Sequence, residues 1–267
     1  SPVVTVSDKI YDGNTDATIA SYSVTGKIGY DDINITGGNA TFDNATAGDL
    51  KSVSITGLSL TGADAGNYKL SSSPLTTTAS IFRAELIVTT DAKSKIYGDE
   101  NPVLTGLISG LKNNDNISAI YTSPAMASSS VGNYPITATL SDPNDKLANY
   151  FVTNNGNILS IGQRVATVVA TATGKTYGDD NPALDAVVEG TVNGDELNYT
   201  LATSAGKFSG VGSYPITVEL GENPNYSVTK TDASLTIGQK AATVAANKQS
   251  KTYGDDNPAL DAVVEGT

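Results

Sequence analysis

The sequence predicts an all-β chain built from tandem small β-sandwich modules in an elongated array, and three observations predict it. Only 16% of the 267 residues are charged, against about 25% in a typical soluble domain. Thr, Ser, Asn and Gly fill the difference, a composition that suits β-structure with polar turns better than disorder. The sequence also repeats itself over distances of about a domain. Finally, its apolar runs have strand length and are punctuated by Gly, Asn, Asp and Pro, and no window of a dozen residues shows a 3.6-residue period with capping signals.

The repeats define the organisation. Lys175–Thr191 reads KTYGDDNPALDAVVEGT, and Lys251–Thr267 is identical to it. A diverged copy, KIYGDENPVLTG, begins at Lys95. Three further blocks recur in the same order: VGNYPITATL at Val131 with VGSYPITVEL at Val211, Asn149-Tyr150 with Asn225-Tyr226, and LSIGQ at Leu159 with LTIGQ at Leu235. Tyr97 and Tyr177 lie 80 positions apart, and Tyr177 and Tyr253 lie 76 apart. A unit of that size is a compact domain, too long for a solenoid turn. The opening stretch is a more distant copy, with Tyr11-Asp12-Gly13 and Gly66-Asn67-Tyr68 at the corresponding places. The predicted modules are therefore 3–82, 84–162, 164–239, and an incomplete one at 241–267 that holds only the first strands. Identity between the last two copies is what recent duplication produces; the diverged pair shows which blocks persist.

At these residues the chain resembles known families. Tyr97-Gly98-Asp99 and Tyr177-Gly178-Asp179 resemble the opening of MBG domains of the YGX type, and Tyr11-Asp12-Gly13 resembles that of the YDG domain. The resemblance implies a tandem repeat region of a large bacterial surface protein or adhesin, with an extracellular, cell-surface location. It implies no catalytic residues.

Individual strands follow from local pattern. In the third module the predicted runs are Val165–Ala172, Asp185–Val192, Leu197–Ala202, Tyr214–Leu220, Tyr226–Lys230 and Ser234–Ile237. Six or seven short strands in under 80 residues point to an immunoglobulin-like sandwich. In that fold Tyr134 and Tyr214 stand where a tyrosine corner would, largely buried, with the hydroxyl bonded to backbone upstream. Pro135 and Pro215 cannot donate to a ladder, so their strand begins at the proline or faces an edge there. The alternative fold, a β-grasp-like module, needs a helix that the pattern does not supply.

Composition excludes several function classes. No Cys leaves no disulfide framework and no thiolate, and no His leaves no imidazole base or His-ligated metal. A net charge of −12 argues against a nucleic-acid partner. No apolar stretch approaches the ~20 residues of a membrane-spanning helix, so no direct membrane insertion is expected. No signal peptide is recognisable at Ser1, and the chain reads as a piece of a longer protein.

Candidate chemistry is sparse. The Asp-rich turns offer oxygen ligands for Ca2+ at Asp99, Glu100, Asn101, Asp179, Asp180 and Asn181. The competing reading is a plain turn, in which Gly allows positive φ and Asp and Asn cap their own backbone; the spacing of a dedicated Ca2+ loop is missing. Tyr22, Tyr30, Tyr121 and Tyr199 lie outside the repeated blocks and are the candidates for stacking on sugars, whereas the recurring tyrosines suit core or corner roles. Adjacent acids such as Asp31-Asp32 or Asp195-Glu196 point apart in a strand or turn, which is poor geometry for an acid–base pair. Lys95, Lys175 and Lys251 at equivalent early positions, with Asn149 and Asn225 at equivalent late ones, raise an isopeptide cross-link. Six N-x-S/T triplets, at Asn34, Asn39, Asn44, Asn116, Asn198 and Asn225, fit glycan acceptors. No enzyme activity and no organic cofactor are expected. The expected role is a stalk that spaces a distal binding region of an adhesin or fibre. Its partners are the neighbouring modules, with host or cell-surface glycans or proteins bound at a tip outside this chain. The alternatives are modules that bind glycan or protein directly, or a filament subunit completed by strand donation.

Overall fold

The computed structural model describes residues 1–71 and 74–266. Two residues of the first predicted module and Thr267, the last of the incomplete one, lie outside them. Contacts gather the chain into two units: residues 1–93, 102–125 and 133–160 form one, and 94–101, 126–132 and 161–267 form the other.

In the first unit, a five-stranded sheet runs in the order Lys9–Ile10, Leu75–Phe82, Gly48–Thr61, Asn34–Phe42, Asp16–Ala17. Pro2–Val6 pairs separately with Ile19–Val24. The two long strands align Ala40 with Ile55 and Phe42 with Val53, and all four side chains are buried. Gly38 and Gly57 interrupt the pairing between Gly37–Leu58 and Asn39–Thr56 without shifting its register, and both have positive φ, which a residue without a Cβ adopts freely. Further along, Ala84–Thr90 lies between Gly106–Ser109, antiparallel, and Tyr150–Asn155, parallel. Ala84, Leu86 and Val88 face inward with exposure of 1% or less.

In the second unit, residues 164–238 form a sandwich of three and four strands. One sheet is Ala186–Glu189, Arg164–Ala170, Tyr226–Thr231; the other is Thr173–Thr176, Ala233–Gly238, Gly212–Leu220, Tyr199–Thr203. Ala166, Val168 and Ala170 from one face, and Ile216, Val218, Leu235 and Ile237 from the other, are buried. The period-2 alternation of those positions is the reason the segments form half-buried strands.

The strand predicted at Val165–Ala172 runs from Arg164 to Ala170, and a further strand absent from the predicted runs, Thr173–Thr176, follows in the other sheet, parallel to Ala233–Gly238. That further strand has no buried side chain, so its sequence carries no apolar alternation to reveal it. The proline strand begins at Gly212 rather than at Pro215. Pro215 pairs with Ser234 on one side, while the ladder to Tyr199–Thr203 starts only at Ile216; the edge reading of the proline holds. Among the described residues there is no α-helix, only the three-residue 3-10 turns Ala65–Asn67 and Leu147–Asn149, so the β-grasp alternative lacks its helix.

After residue 240, Thr243–Ala246 pairs with Ala262–Glu265 in a two-stranded ladder. Val244, Leu260, Val263 and Val264 are all exposed, as expected of strands without a second sheet to pack on.

Candidate functional site: two tyrosine–aspartate joints

The modules meet without a linker. Leu75–Phe82 and Ala84–Thr90 are separated by Arg83 alone, and Asn157–Gly162 and Arg164–Ala170 by Gln163 alone. At both places the same residues lock one module to the next.

In the first unit the opening tyrosine, Tyr11, is set by its N–H, which donates to the Phe82 carbonyl at 2.8 Å. Its hydroxyl donates to Asp115 Oδ2 at 2.9 Å, and the Tyr150 hydroxyl donates to the same oxygen at 2.7 Å. The two rings meet edge to face, 5.4 Å between centroids. The Lys112 N–H donates to the Tyr150 hydroxyl at 2.8 Å. Asn149 Oδ1 accepts the Ala47 N–H at 2.8 Å. Tyr11, Asp115, Asn149 and Tyr150 are all buried. One carboxylate oxygen thus serves two phenols, which an ionised acceptor-only group does well.

The second unit repeats the arrangement with equivalent residues. The Tyr97 N–H donates to the Gly162 carbonyl at 2.9 Å. Tyr97 and Tyr226 hydroxyls donate to Asp195 Oδ2 at 2.8 and 2.7 Å. The rings lie 5.5 Å apart, edge to face. The Val192 N–H donates to the Tyr226 hydroxyl at 3.1 Å, and Asn225 Oδ1 accepts the Val131 N–H at 3.0 Å. Arg164 adds a strap: its Nε donates to the Tyr97 carbonyl at 2.8 Å and its guanidinium pairs with Asp99.

Glycine follows from this contact. Gly13 and Gly98 have φ of +82° and +84°, and a Cβ on either would overlap the facing module, at Asn113 and Val192 respectively. Burial first, and then the hydrogen bond to Asp115, pushes the Tyr11 phenol up to about 12. Tyr150 and Tyr226 are raised as well, again chiefly by burial. Tyr11, Tyr150 and Tyr226 therefore keep their protons to higher pH than a free tyrosine does.

The residues proposed as Ca2+ ligands take other parts. Gly98 and Gly178 have positive φ, and the Asp99 and Asp179 N–H groups close turns onto Ile96 and Thr176. The chain's own cations already sit at Asp99: Arg164 on its carboxylate and Lys95 Nζ on its carbonyl, 2.9 Å. Asp180 faces Lys207 at 3.2 Å, and Asn181 Nδ2 donates to the Ala205 carbonyl at 2.6 Å. Glu100 is exposed. Among the described residues no group of three acidic side chains comes together.

Other expectations need correction. Lys95 Nζ donates to the carbonyls of Asp99 and Met126, and Lys175 Nζ to those of Asp179 and Gly206. The amides of Asn149 and Asn225 are engaged at the joints, so the isopeptide pairing does not form. Tyr214 does bond backbone upstream, its hydroxyl donating to Gly210 at 3.0 Å, but both Tyr214 and Tyr134 are half-buried rather than largely buried. Of the four tyrosines outside the repeated blocks, Tyr30 is fully exposed and Tyr22 partly so, with its hydroxyl on the Gly37 carbonyl.

Sequence reasoning misses Asp115 and reads Asp195 only as half of an acid pair. A signal for both existed. Asn113-Asn114-Asp115 and Asn193-Gly194-Asp195 stand at matching places in two otherwise diverged loops.

Comparisons with known proteins fit this layout. A YDG domain matches over residues 1–78 and an MBG domain (YGX type) over 86–160 and again over 166–236. No curated protein matches. Solved structures to which the chain is similar include Drosophila N-cadherin EC1-4, with 11% identity over 86% of this chain and 73% of that one and a TM-score of 0.26. Another is the N-terminal four Ig domains of Dscam1 isoform 9.44, with 9% identity over 89% and 73% and a TM-score of 0.24.

Proposed function

We propose, for a chain that belongs to the MBG domain family of the YGX type and opens with a YDG domain, a structural role as the stalk of a bacterial cell-surface adhesin or fibre. The coarse reading, a repeat region of a surface protein, is what these families fit. The finer one rests on a single observation: two successive joints use the same buried tyrosine–aspartate–tyrosine set. A ligand-binding surface has no reason to recur at each junction, whereas a spacer needs each module to hold the next at a fixed angle. Buried, hydrogen-bonded joints without flexible linkers resist bending, and Gly/Ser-rich connections do not. In this reading the chain itself needs neither catalysis nor a cofactor, and it presents a binding region that lies elsewhere.

The test is the distribution of distances between spin labels on Thr18 and Thr229, both exposed, in the first and the third module. A narrow distribution that broadens when Asp115 or Asp195 is replaced by Ala supports the stalk. A distribution already broad in the unaltered chain would refute it.

A further inference from the structure

A tight turn presents the joint aspartate in the second and third modules, and a related one, left-handed at Gly29 but not at Tyr30, presents Asp31 in the first, where no neighbouring module faces it among the described residues. In the second module the Asp115 N–H donates to the Lys112 carbonyl at 2.8 Å around left-handed Asn113, φ +50°. In the third the Asp195 N–H donates to Val192 at 3.0 Å around Asn193, φ +60°. In the first the Asp31 N–H donates to Ile28 at 3.3 Å around Gly29, φ +56°. Two residues beyond each aspartate, Ile117, Leu197 and Ile33 anchor the turn in the core.

The matching tyrosine is present too. Tyr68 donates its hydroxyl to Asp31 Oδ2 at 2.6 Å and accepts the Ile28 N–H at 3.0 Å, as Tyr150 and Tyr226 do with their partners. Asp31 differs in accepting only one phenol among the described residues. The surroundings differ in the same sense. Tyr68 is half-buried where Tyr150 and Tyr226 are buried. Ile28, which corresponds to the Val192 that presses on Gly98, is 75% exposed. Asn67, the counterpart of Asn149 and Asn225, is exposed as well. The Tyr68–Asp31 pair alone is explained by its hold on the turn. An exposed Ile at the position that touches the neighbouring module in the second joint, and an exposed Asn at the position that does so in both, are not.

We propose that Asp31, Tyr68, Ile28 and Asn67 form an uncovered joint receptor, whose occupant is the Tyr-Gly opening end of a YGX-type module joined ahead of Ser1 in the same polypeptide. The phenol of that end would give Asp31 its second donor, its glycine would lie against Ile28, and a backbone N–H would reach Asn67. Both occupied joints link consecutive modules. The contact set is also small, so it suits a tethered partner at millimolar effective concentration better than a free one. The inference stands whether or not the chain serves as a stalk.

The experiment extends the full chain by a copy of residues 164–239 placed directly ahead of Ser1, and follows amide hydrogen exchange. Exchange at Ile28 and Asp31 should slow tenfold or more relative to the unextended chain. Asp31→Ala should abolish that gain. If Asp31→Ala unfolds the first module, seen as free exchange at Val53 and Ile55, replacing the added copy's tyrosine at the position of Tyr177 by Ala reads the same contact from the other side. Unchanged exchange at Ile28 while the added copy is itself protected would overturn the proposal, as would a gain that survives loss of that tyrosine. Equal slowing of the unextended chain on simple concentration would make a second molecule the occupant and overturn the tethered assignment.

Discussion

The two joints use one polar device in two settings. Around Tyr11, Asp115 and Tyr150 the apolar core is continuous: Val4, Phe42, Val53, Ala84, Leu86 and Ile117 belong to the same buried cluster as the two tyrosines. Where the second joint has Arg164, the first has Ala84, 1% exposed. The second joint is less enclosed, with Asp195 only half-buried, and an ionic strap to Tyr97 and Asp99 takes the place of apolar continuity. A tyrosine–aspartate–tyrosine set thus fixes the geometry, and its surroundings decide whether water exclusion or charge pairing supports it.

The largest expected effect comes from the shared acceptor. Asp115→Ala strands two buried phenols and should cost about 2–4 kcal/mol, because each unpaired buried donor costs roughly 1–3. Asp195→Ala should cost about half as much, since the half-buried aspartate leaves a site that water can enter. Denaturant unfolding of each variant measures this, and equal costs would erase the contrast between the joints. Asp115→Asn, which keeps an oxygen acceptor, should recover part of the loss.

Glycine substitutions separate joint from turn. Gly98→Ala combines a disfavoured positive φ with overlap on Val192, whereas Gly178→Ala has the same kind of φ, +90°, and open space around it. The backbone penalty alone is about 1–2 kcal/mol, so Gly178→Ala should cost that and Gly98→Ala clearly more. Matching thermal shifts for the two would mean that the contact on Val192 contributes nothing.

Alkaline pH should open the first joint. Folding raises the Tyr11 pKa to about 12 from an ordinary value near 10. The protonated phenol therefore stabilises the folded state fully below pH about 10, and that contribution disappears as pH rises through 12. Phenolate absorbance should show Tyr11 titrating well above the ordinary value near 10. A single titration step for all tyrosines, with stability unchanged up to pH about 12, would contradict the buried joint.

The smallest effect belongs to the strap. Arg164→Ala should cost about 0.2–1 kcal/mol at low salt and less at high salt, as partly exposed ion pairs do. The first joint, lacking the strap, should show no comparable salt dependence. Stability curves of the wild type and the variant at two ionic strengths decide this.

The sequence by itself determined the class of fold, the repeating unit and most strand positions, because burial on one face of a strand writes a period of two into the chain and the recurring blocks mark out each module. It also brought the joint tyrosines to notice through their recurrence, though with core or corner roles. What only the tertiary structure decided is which surfaces those residues serve. Tyr11 and Asp115 are 104 positions apart, and Tyr97 and Asp195 are 98 apart; no local pattern links them, because the bond exists only once two folded modules abut. The same holds for Thr173–Thr176, a strand made by backbone pairing alone, and for Gly98, whose small size matters for a side chain in the next module. Periodicity records what a segment does within its own layer. Contacts between modules are set by where folded loops happen to meet, and they leave their trace only as single residues that recur without a local reason.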